Sequence, residues 1–104
     1  MKETQTTITQ WANQTFGVSS SNVRVASRAN EEMAELIRAL TTDDYNPKAA
    51  EEIADVVIVL CRLATQLGCN ILNEVDRKMI KNRQRVWKLD GTGHGYHVRE
   101  EKGK

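Results

Sequence analysis

The segment from Ile53 to Leu67 most constrains the fold, because its apolar residues occupy almost the whole circumference of a helix. Only two charged residues, Asp55 and Arg62, interrupt it. A helix of this kind is buried on more than one side, which places it at the centre of a helix bundle or at a subunit interface. Its large apolar residues are Ile53, Val56, Val57, Ile58, Val59, Leu60, Leu63 and Leu67.

Glycine, proline and polar turns divide the chain into four segments in which apolar residues recur every three or four positions, the spacing of one helical face. We predict helices over about residues 6–16, 22–40, 47–68 and 70–89, followed by a mobile glycine-rich tail over 90–104. The residues predicted to face inward are Ile8, Trp11, Ala12 and Phe16 in the first helix, Val23, Ala26, Met33, Ile37 and Leu40 in the second, and Leu72, Val75, Met79 and Val86 in the fourth. The fold class is therefore all-α.

Size and composition restrict the class of protein. The 104 residues suit a single domain over residues 1–104, with only about two-thirds of the unfolded surface buried at this size. Its 39% hydrophobic residues, 28% charged residues and net charge of +1 indicate a globular protein without strong attraction to nucleic acid or lipid. No apolar stretch approaches the roughly 20 residues that a bilayer requires, and the amino terminus lacks the apolar core of a signal peptide, so we expect a cytoplasmic protein. Cys61 and Cys69 are expected to be reduced.

Two acidic segments carry the strongest functional signal, EEMAE at 31–35 and EEIAD at 51–55. In each, two carboxylates lie three residues apart and so share one face of the helix. Two antiparallel helices could bring four carboxylates to one point, where oxygen ligands favour a hard cation such as Mg²⁺. Asp55 also lies in an apolar run, where an unpaired charge would be costly to bury.

Solvated helix faces are the competing interpretation, since an EExxE segment is common on exposed helices. Arginines near the acids offer ion pairs that would compensate the carboxylates without a metal. The candidate pairs are Arg62 with Asp55, Arg28 with Glu32 and Arg38 with Glu35.

The fourth segment carries a row of phosphate-binding side chains. Lys78, Asn82 and Arg85 follow one another at intervals of four and three, so they lie along one stripe. A cation, an amide and a guanidinium in line suit a polyphosphate, although the helix dipole also favours basic residues near a C-terminus. Among the aromatic residues, Trp11 is the best candidate for contact with a nucleobase.

These motifs resemble those of the MazG-like all-alpha nucleoside triphosphate pyrophosphohydrolases, a family with a four-helix bundle-like fold. The resemblance rests on EEMAE at 31–35, EIAD at 52–55 and KMIKNRQR at 78–85, which follow the family's order on successive helices. It also takes in WANQTFG at 11–17 and extends to Leu89, with the GTGHGYH tail outside the pattern.

The resemblance implies Mg²⁺-dependent hydrolysis of a nucleoside or deoxynucleoside triphosphate to the monophosphate and pyrophosphate, with Mn²⁺ as a substitute metal. It also implies a homodimer or homotetramer that completes the bundle, and a house-cleaning role in the nucleotide pool. Glu32 and Glu35 are the preferred residues to orient and deprotonate the attacking water. Glu31 is implied as an additional carboxylate at the metal, bound directly or one layer outside the ligands. The implied metal ligands are Glu32, Glu35, Glu52 and Asp55, and the implied triphosphate ligands are Lys78, Asn82 and Arg85.

Other functions remain compatible with the motifs. The same fold hydrolyses phosphoribosyl-ATP, and that enzyme resembles this chain in its acidic motifs. A non-catalytic helical module that binds a metal or a protein through its acidic face is a second alternative. A ferritin-like di-iron bundle is disfavoured, because its Glu-x-x-His ligands are missing.

Overall fold

The computed structural model describes residues 2–42 and 47–98, which form four α-helices and two short β-strands. The chain divides into two compact units, the first ending at Ile71 and the second beginning at Leu72. The predicted all-α class with four helical segments is confirmed, while assembly into one domain and completion by oligomerisation stay predictions. The helices are α1 (Gln5–Phe16), α2 (Asn22–Thr42), α3 (Pro47–Gln66) and α4 (Ile71–Gln84), and the strands are β1 (Trp87–Leu89) and β2 (Gly95–His97).

Helix α3 is the central helix of the first unit and packs against both α1 and α2. Glu52 and Cys61 are both buried and lie on opposite faces of this helix. Between α1 and α3, the hydroxyl oxygens of Thr9 and Thr65 lie 2.8 Å apart. The prediction that this helix is covered on more than one side is therefore confirmed.

Local sequence explains where α3 ends. Gly68 adopts a φ of 77°, which an L side chain would strain. Its amide donates to the carbonyl of Thr65, and the amide of Cys69 donates to the carbonyl of Ala64. This pair of hydrogen bonds is a Schellman motif, which satisfies the last free carbonyls of the helix and turns the chain toward α4.

The face that α2 packs on α3 differs from the predicted one. Met33 is 41% exposed and Ile37 is 55% exposed, whereas Val25 and Glu32 are buried. Both sets follow the same helical spacing, so periodicity alone cannot choose between them. The buried face also carries small residues such as Ala39, which let two helices approach closely.

Most of the other predicted inward-facing residues are also exposed, so those predictions are wrong for the single chain. Only Ala12 among the four predicted for α1 is fully buried, and none of the four predicted for α4 is. The exposed residues are Trp11, Phe16, Val23, Ala26, Met33, Ile37, Leu40, Leu72, Val75, Met79 and Val86.

The fourth helix is shorter than predicted, because it ends at Gln84 rather than near Leu89. The indole Nε1 of Trp87 donates to the carbonyl oxygen of Asn82 at 2.8 Å, which takes up one of the last helical carbonyls. The chain then pairs β1 antiparallel with β2, with Trp87 opposite His97. Residues 90–98 of the predicted mobile tail are therefore ordered as a hairpin, and 99–104 lie outside the described residues.

Close backbone contact and turn chemistry explain the hairpin. Asp90 accepts hydrogen bonds from the amide and the hydroxyl of Thr92, at 2.8 and 2.6 Å. These bonds lower the pKa of the Asp90 carboxyl. A Cβ atom on Gly95 would lie 2.8 Å from the carbonyl oxygen of Lys88, so β2 can begin only with glycine at that position.

Both cysteines are free, as predicted, and burial raises the pKa of the Cys61 thiol. The thiol is thereby kept protonated. Among the described helices, none is by itself long and apolar enough to cross a membrane, and α3 and α4 satisfy that length and composition only as a bent pair.

One side chain links α1 to the turn between α3 and α4. The amide nitrogen of Gln5 donates to Thr65 Oγ1 at 2.9 Å and to the carbonyl oxygen of Cys69 at 2.8 Å. Its amide oxygen accepts from the backbone of Ile71 at 2.7 Å, the first residue of α4. Because partly buried backbone groups would lose their partners, we expect Gln5→Ala to lower the free energy of unfolding by about 1–3 kcal/mol.

Urea unfolding measures this change, and Gln10→Ala on the exposed side of α1 is the matched control, with an expected change below about 0.5 kcal/mol. Equal losses in the two variants would contradict the role assigned to Gln5.

Candidate functional site

Three acidic side chains meet where α2 faces α3. Glu32, Glu52 and Asp55 each place a carboxylate oxygen within 4.8 Å of the other two. We call this group the acidic cluster. Glu35, the fourth predicted ligand, lies close to the acidic cluster. Its negative charge contributes to the raised pKa of both Glu32 and Glu52.

Two members of the acidic cluster are buried. Glu32 is 6% exposed and Glu52 is 7% exposed, and one carboxylate oxygen of each, Oε2, has no hydrogen-bond partner within the described residues. Burial is the first cause of a raised pKa in both, followed for Glu52 by repulsion from Glu35 and Asp55. Buried carboxylate oxygens without partners are costly unless a cation or a proton compensates them.

Nearby cations offset only part of this cost. Arg28 lies 2.8 Å from the Glu32 carboxylate and lowers the pKa of that group, against the larger effect of burial. Lys48 acts in the same direction on Glu52. The pKa of both carboxyls stays raised despite these cations, so the acidic cluster has a deficit of positive charge.

Of the three ion pairs considered from the sequence, the described residues form only the one between Arg28 and Glu32. Arg28 also pairs with Glu31 at 2.6 Å. Arg62 instead donates to the carbonyl oxygen of Gly17 and lies over the ring of Phe16, 5.8 Å from its centroid.

The structure also corrects the argument from Asp55. Its side chain is exposed, so its position in an apolar run does not make it a buried charge. The buried charges are Glu32 and Glu52. Helical rotation explains the difference, because Asp55 lies three positions beyond Glu52 at the open edge of the same face.

The acidic cluster fits a divalent cation. It offers at least three carboxylate oxygens, the ligand type that Mg²⁺ prefers and Mn²⁺ accepts. Two of its carboxylate oxygens, Oε2 of Glu32 and Oε2 of Glu52, are buried without a hydrogen-bond partner among the described residues. Within the described residues, no hydrogen-bond donor of the protein contacts these two oxygens.

Two cavities border the acidic cluster. The larger, about 640 Å³, includes Glu32 and Asp55 together with aromatic and aliphatic side chains, among them Trp11, Phe16 and Ile58. The rings of Trp11 and Phe16 pack edge to face, with their centroids 5.5 Å apart and an angle of 83° between the ring planes. The smaller, about 340 Å³, is lined by Glu35, Arg38, Ala39, Thr42, Lys48 and Glu52.

The predicted triphosphate ligands belong to the second unit. Lys78 is exposed, Asn82 and Arg85 are half-buried, and α4 ends one residue before Arg85. Asn82 Oδ1 is buried without a partner among the described residues. Their roles stay predictions.

Sequence analysis did not single out Arg38 or Lys48 as site residues. A signal for both was present, because Arg38 follows Glu35 by three residues and Lys48 precedes Glu52 by four. Each cation therefore lies one turn from an acidic residue on the same helical face. The sequence alone could not show that these two turns border one cavity.

The chain belongs to the MazG-like family, which matches residues 28–97. The resemblance noted from the motifs is thereby confirmed. The limits of the match differ from the expected ones, because it begins after WANQTFG and includes the GTGHGYH segment, which was expected to lie outside the family pattern.

Two relatives extend this comparison. A dATP/dGTP diphosphohydrolase of Salmonella phage PMBT28 is 33% identical over 96 residues, covering 92% of this chain and 31% of that protein. The chain thus spans about a third of that relative's length. A cyanophage S-2L MazG-like pyrophosphohydrolase, solved with dGDP and three catalytic Mn²⁺ ions per active site, has a TM-score of 0.74 at 26% identity, over 93% of this chain and 91% of its own.

Stability without metal should depend on the Glu52 carboxyl. Its pKa is raised on folding, so the stabilising contribution is present in acid and is lost as pH rises through the raised value. We expect Glu52→Gln to raise the melting temperature in EDTA at about pH 8, with a smaller gain at about pH 5, because the raised pKa favours the protonated carboxyl as the pH falls.

Thermal denaturation at the two pH values measures this, with Glu51→Gln on the exposed face of α3 as the control. A Glu52→Gln protein less stable than the wild type at both pH values would show that the carboxylate is compensated within the protein.

Proposed function

We propose that this chain hydrolyses a purine deoxynucleoside triphosphate to the monophosphate and pyrophosphate with the help of a divalent cation. The observation that carries the proposal is the pair of buried, unpartnered carboxylate oxygens beside a cavity large enough for a nucleoside. Membership of the MazG-like family supports it, as do the relatives' dATP/dGTP diphosphohydrolase activity and bound dGDP with Mn²⁺. Removal of unwanted deoxynucleotides in the cytoplasm is the proposed setting.

Four carboxylates would hold the metal, for which we propose Mg²⁺ with Mn²⁺ as a substitute. Bound divalent cations can bridge phosphate oxygens, lower the pKa of a water and offset charge on leaving pyrophosphate. Glu32, Glu52 and Asp55 have the spacing for shared ligation, and Glu35 lies close enough to join them. Their unneutralised charge would repel the polyphosphate unless cations intervened.

In the proposed reaction, water attacks the α-phosphorus in line. A bond forms from the water oxygen to phosphorus, the bond to the bridging oxygen breaks, and pyrophosphate leaves with that electron pair. Glu35 is the preferred base and Glu32 the alternative, because a carboxylate that binds a metal through one oxygen can accept a proton on the other. The water's proton passes to that carboxylate.

Glu31 supports this arrangement through Arg28. The guanidinium bridges Glu31 at 2.6 Å and Glu32 at 2.8 Å, so Glu31 helps to hold the arginine against the buried carboxylate. This contact restricts the orientation of Glu32, which agrees with a supporting rather than a ligating role for Glu31.

Trp11 is proposed to contact the base of the nucleotide. Trp11 lines the larger cavity with half of its surface exposed, so its ring is open to stack against a base. Lys78, Asn82 and Arg85 are proposed to bind the triphosphate, on the strength of the family pattern alone.

Activity assays test the proposed reaction. With dATP or dGTP and Mg²⁺, the wild type should release pyrophosphate and the monophosphate, and Glu35→Gln should lower kcat by about 10²–10⁴-fold because the base is lost. Ion-exchange chromatography identifies the products. Glu51→Gln, which also removes a helical carboxylate but an exposed one outside the cluster, should retain wild-type activity.

Release of orthophosphate would overturn the assignment. Preferential cleavage of phosphoribosyl-ATP would favour the enzyme of histidine synthesis. Inactivity toward all of these, combined with intact metal binding, would favour the non-catalytic module.

We also propose that the chain forms a homodimer or homotetramer. No described side chain is less than 2% exposed, so the core of a single chain is thin. Helices α2 and α3 expose apolar side chains that a second copy would cover, including Met33, Ile37, Leu40, Ile53 and Val57.

A charge within this surface should weaken assembly. We expect Ile37→Glu to reduce the molar mass measured by light scattering during gel filtration, because a carboxylate would be buried against apolar partners. Gln10→Glu, which places the same charge on an exposed site of α1, should leave the mass unchanged. A monomeric wild type would contradict the proposed assembly.

A further inference from the structure

Arg62 lines the larger cavity but has no part in the proposed reaction. It follows Asp55 by seven residues on α3, which is two helical turns, so both residues lie on the face that borders this cavity. Among the described residues, no carboxylate forms an ion pair with Arg62. Its positive charge is directed at the end of α1 instead.

The guanidinium of Arg62 holds two adjacent residues at once. Its Nη2 donates to the carbonyl oxygen of Gly17, and its central carbon lies 5.8 Å from the centroid of the Phe16 ring, within the range of a cation–π contact. Gly17 is the C-cap of α1, so its carbonyl lies beyond the last hydrogen bond of the helix and takes its partner from another element. One side chain of α3 therefore restrains both the main chain and the ring at the end of α1.

Phe16 transmits this restraint to Trp11. The two rings pack edge to face and together form what we call the aromatic wall of the larger cavity. No other aromatic ring contacts Trp11 within the described part of the chain. Trp11 is 53% exposed and Phe16 is 66% exposed, so burial in the single chain does not hold either ring in place. The orientation of the indole therefore depends on Phe16 and, through it, on Arg62.

Helix α3 thus connects the aromatic wall with the acidic cluster. Asp55 belongs to the cluster, and Arg62 fastens the wall at a helical rise of about 10 Å from it. Ile58 and Val59 line the cavity between them. Because one helix carries both groups, the position of the wall relative to the cluster is set by a regular hydrogen-bonded element and not only by the chain that follows α1.

The contacts of Arg62 disfavour a direct role in phosphate binding. Its Nε is buried without a partner among the described residues, so a ligand in the cavity does not reach that donor. Its Nη2 is engaged by Gly17, and the plane of the guanidinium lies over Phe16. A phosphate bound there would have to displace both contacts.

Resting on the proposed function, we infer that Arg62 is a positioning residue for the nucleobase. It holds Phe16, and through Phe16 the indole of Trp11, in the orientation that stacks against the base. A wall that is already ordered loses little conformational freedom when the base binds. Removing the anchor therefore weakens binding of the base and leaves binding of the phosphates unchanged.

Separate binding of the two products tests this role. Isothermal titration in the presence of Mg²⁺ measures dGMP and inorganic pyrophosphate in turn. We expect Arg62→Gln to weaken dGMP binding by about 5- to 10-fold, because a charged hydrogen bond and a cation–π contact are lost, with pyrophosphate affinity unchanged. In steady-state kinetics, the KM for the triphosphate should rise by a similar factor while kcat stays within about twofold of the wild type, the pattern of a lost binding interaction.

Fluorescence reports the motion of the indole directly. Trp11 and Trp87 are the two tryptophans of the sequence, so in a Trp87→Phe background the emission comes from Trp11 alone. When Arg62→Gln is added, time-resolved anisotropy should show a larger fast component, because the freed ring moves on the nanosecond timescale. A loss of global stability alone would not change this signal in the folded protein.

Three further variants complete the comparison. Phe16→Leu breaks the connection without altering Arg62, and its dGMP loss should be non-additive with that of Arg62→Gln, because both act through one chain of contacts. Arg62→Lys keeps the charge but cannot reach the carbonyl and the ring together, so it should recover only part of the affinity. Arg83→Gln, the same substitution at an exposed site of α4, should change neither dGMP binding nor the anisotropy of Trp11.

The failures are distinguishable. Unchanged dGMP affinity and unchanged anisotropy in Arg62→Gln would overturn the positioning role while triphosphate cleavage by the wild type continued. An equal loss of dGMP and pyrophosphate affinity would overturn it in favour of a phosphate contact. A wild type that neither cleaves triphosphate nor binds dGMP would overturn the proposed function itself, and the role of Arg62 in base binding with it.

Discussion

The contact of α2 with α3 buries two carboxylates of the same charge, Glu32 and Glu52, at its centre. In an apolar contact this would be strongly unfavourable, since each charge loses hydration and repels the other. Arg28 and Lys48 offset part of the cost, and yet the pKa of both groups stays raised. The helix pair is therefore not at its most stable without further positive charge, which is the physical basis for a cation at this place.

The same contact decides what lies on each side of the acidic cluster. Helices α2 and α3 are antiparallel, so residues later in α2 lie near residues earlier in α3. The side chains beyond the acidic cluster therefore differ at its two ends. One end opens beside Trp11 and Phe16, and the other beside Arg38 and Lys48. The difference between the two ends therefore follows from the order of the helices rather than from any single residue.

Packing the acidic face of α2 inward leaves its large apolar residues outside. Ile37 and Met33 are exposed because the helix has two faces of equal periodicity and only one can meet α3. The burial of Glu32 and the exposure of Ile37 are thus two consequences of one helical rotation. The proposed oligomer would bury the apolar side chains that α2 exposes in the single chain. Metal binding and assembly would then depend on the same orientation of α2.

The sequence by itself determined the helical segments and the starts and ends set by Pro47, Gly17 and Gly68, because these depend on local spacing and backbone preference. It also indicated the acidic residues that meet between α2 and α3. It did not determine the end of α4, where the Trp87 side chain and the strand pairing override helical periodicity. Nor could it choose the buried face of α2 or place Arg38 and Lys48 on one cavity. Those features depend on contacts between residues distant in the chain, and only the tertiary structure decides which of two equally periodic faces meets a neighbouring helix.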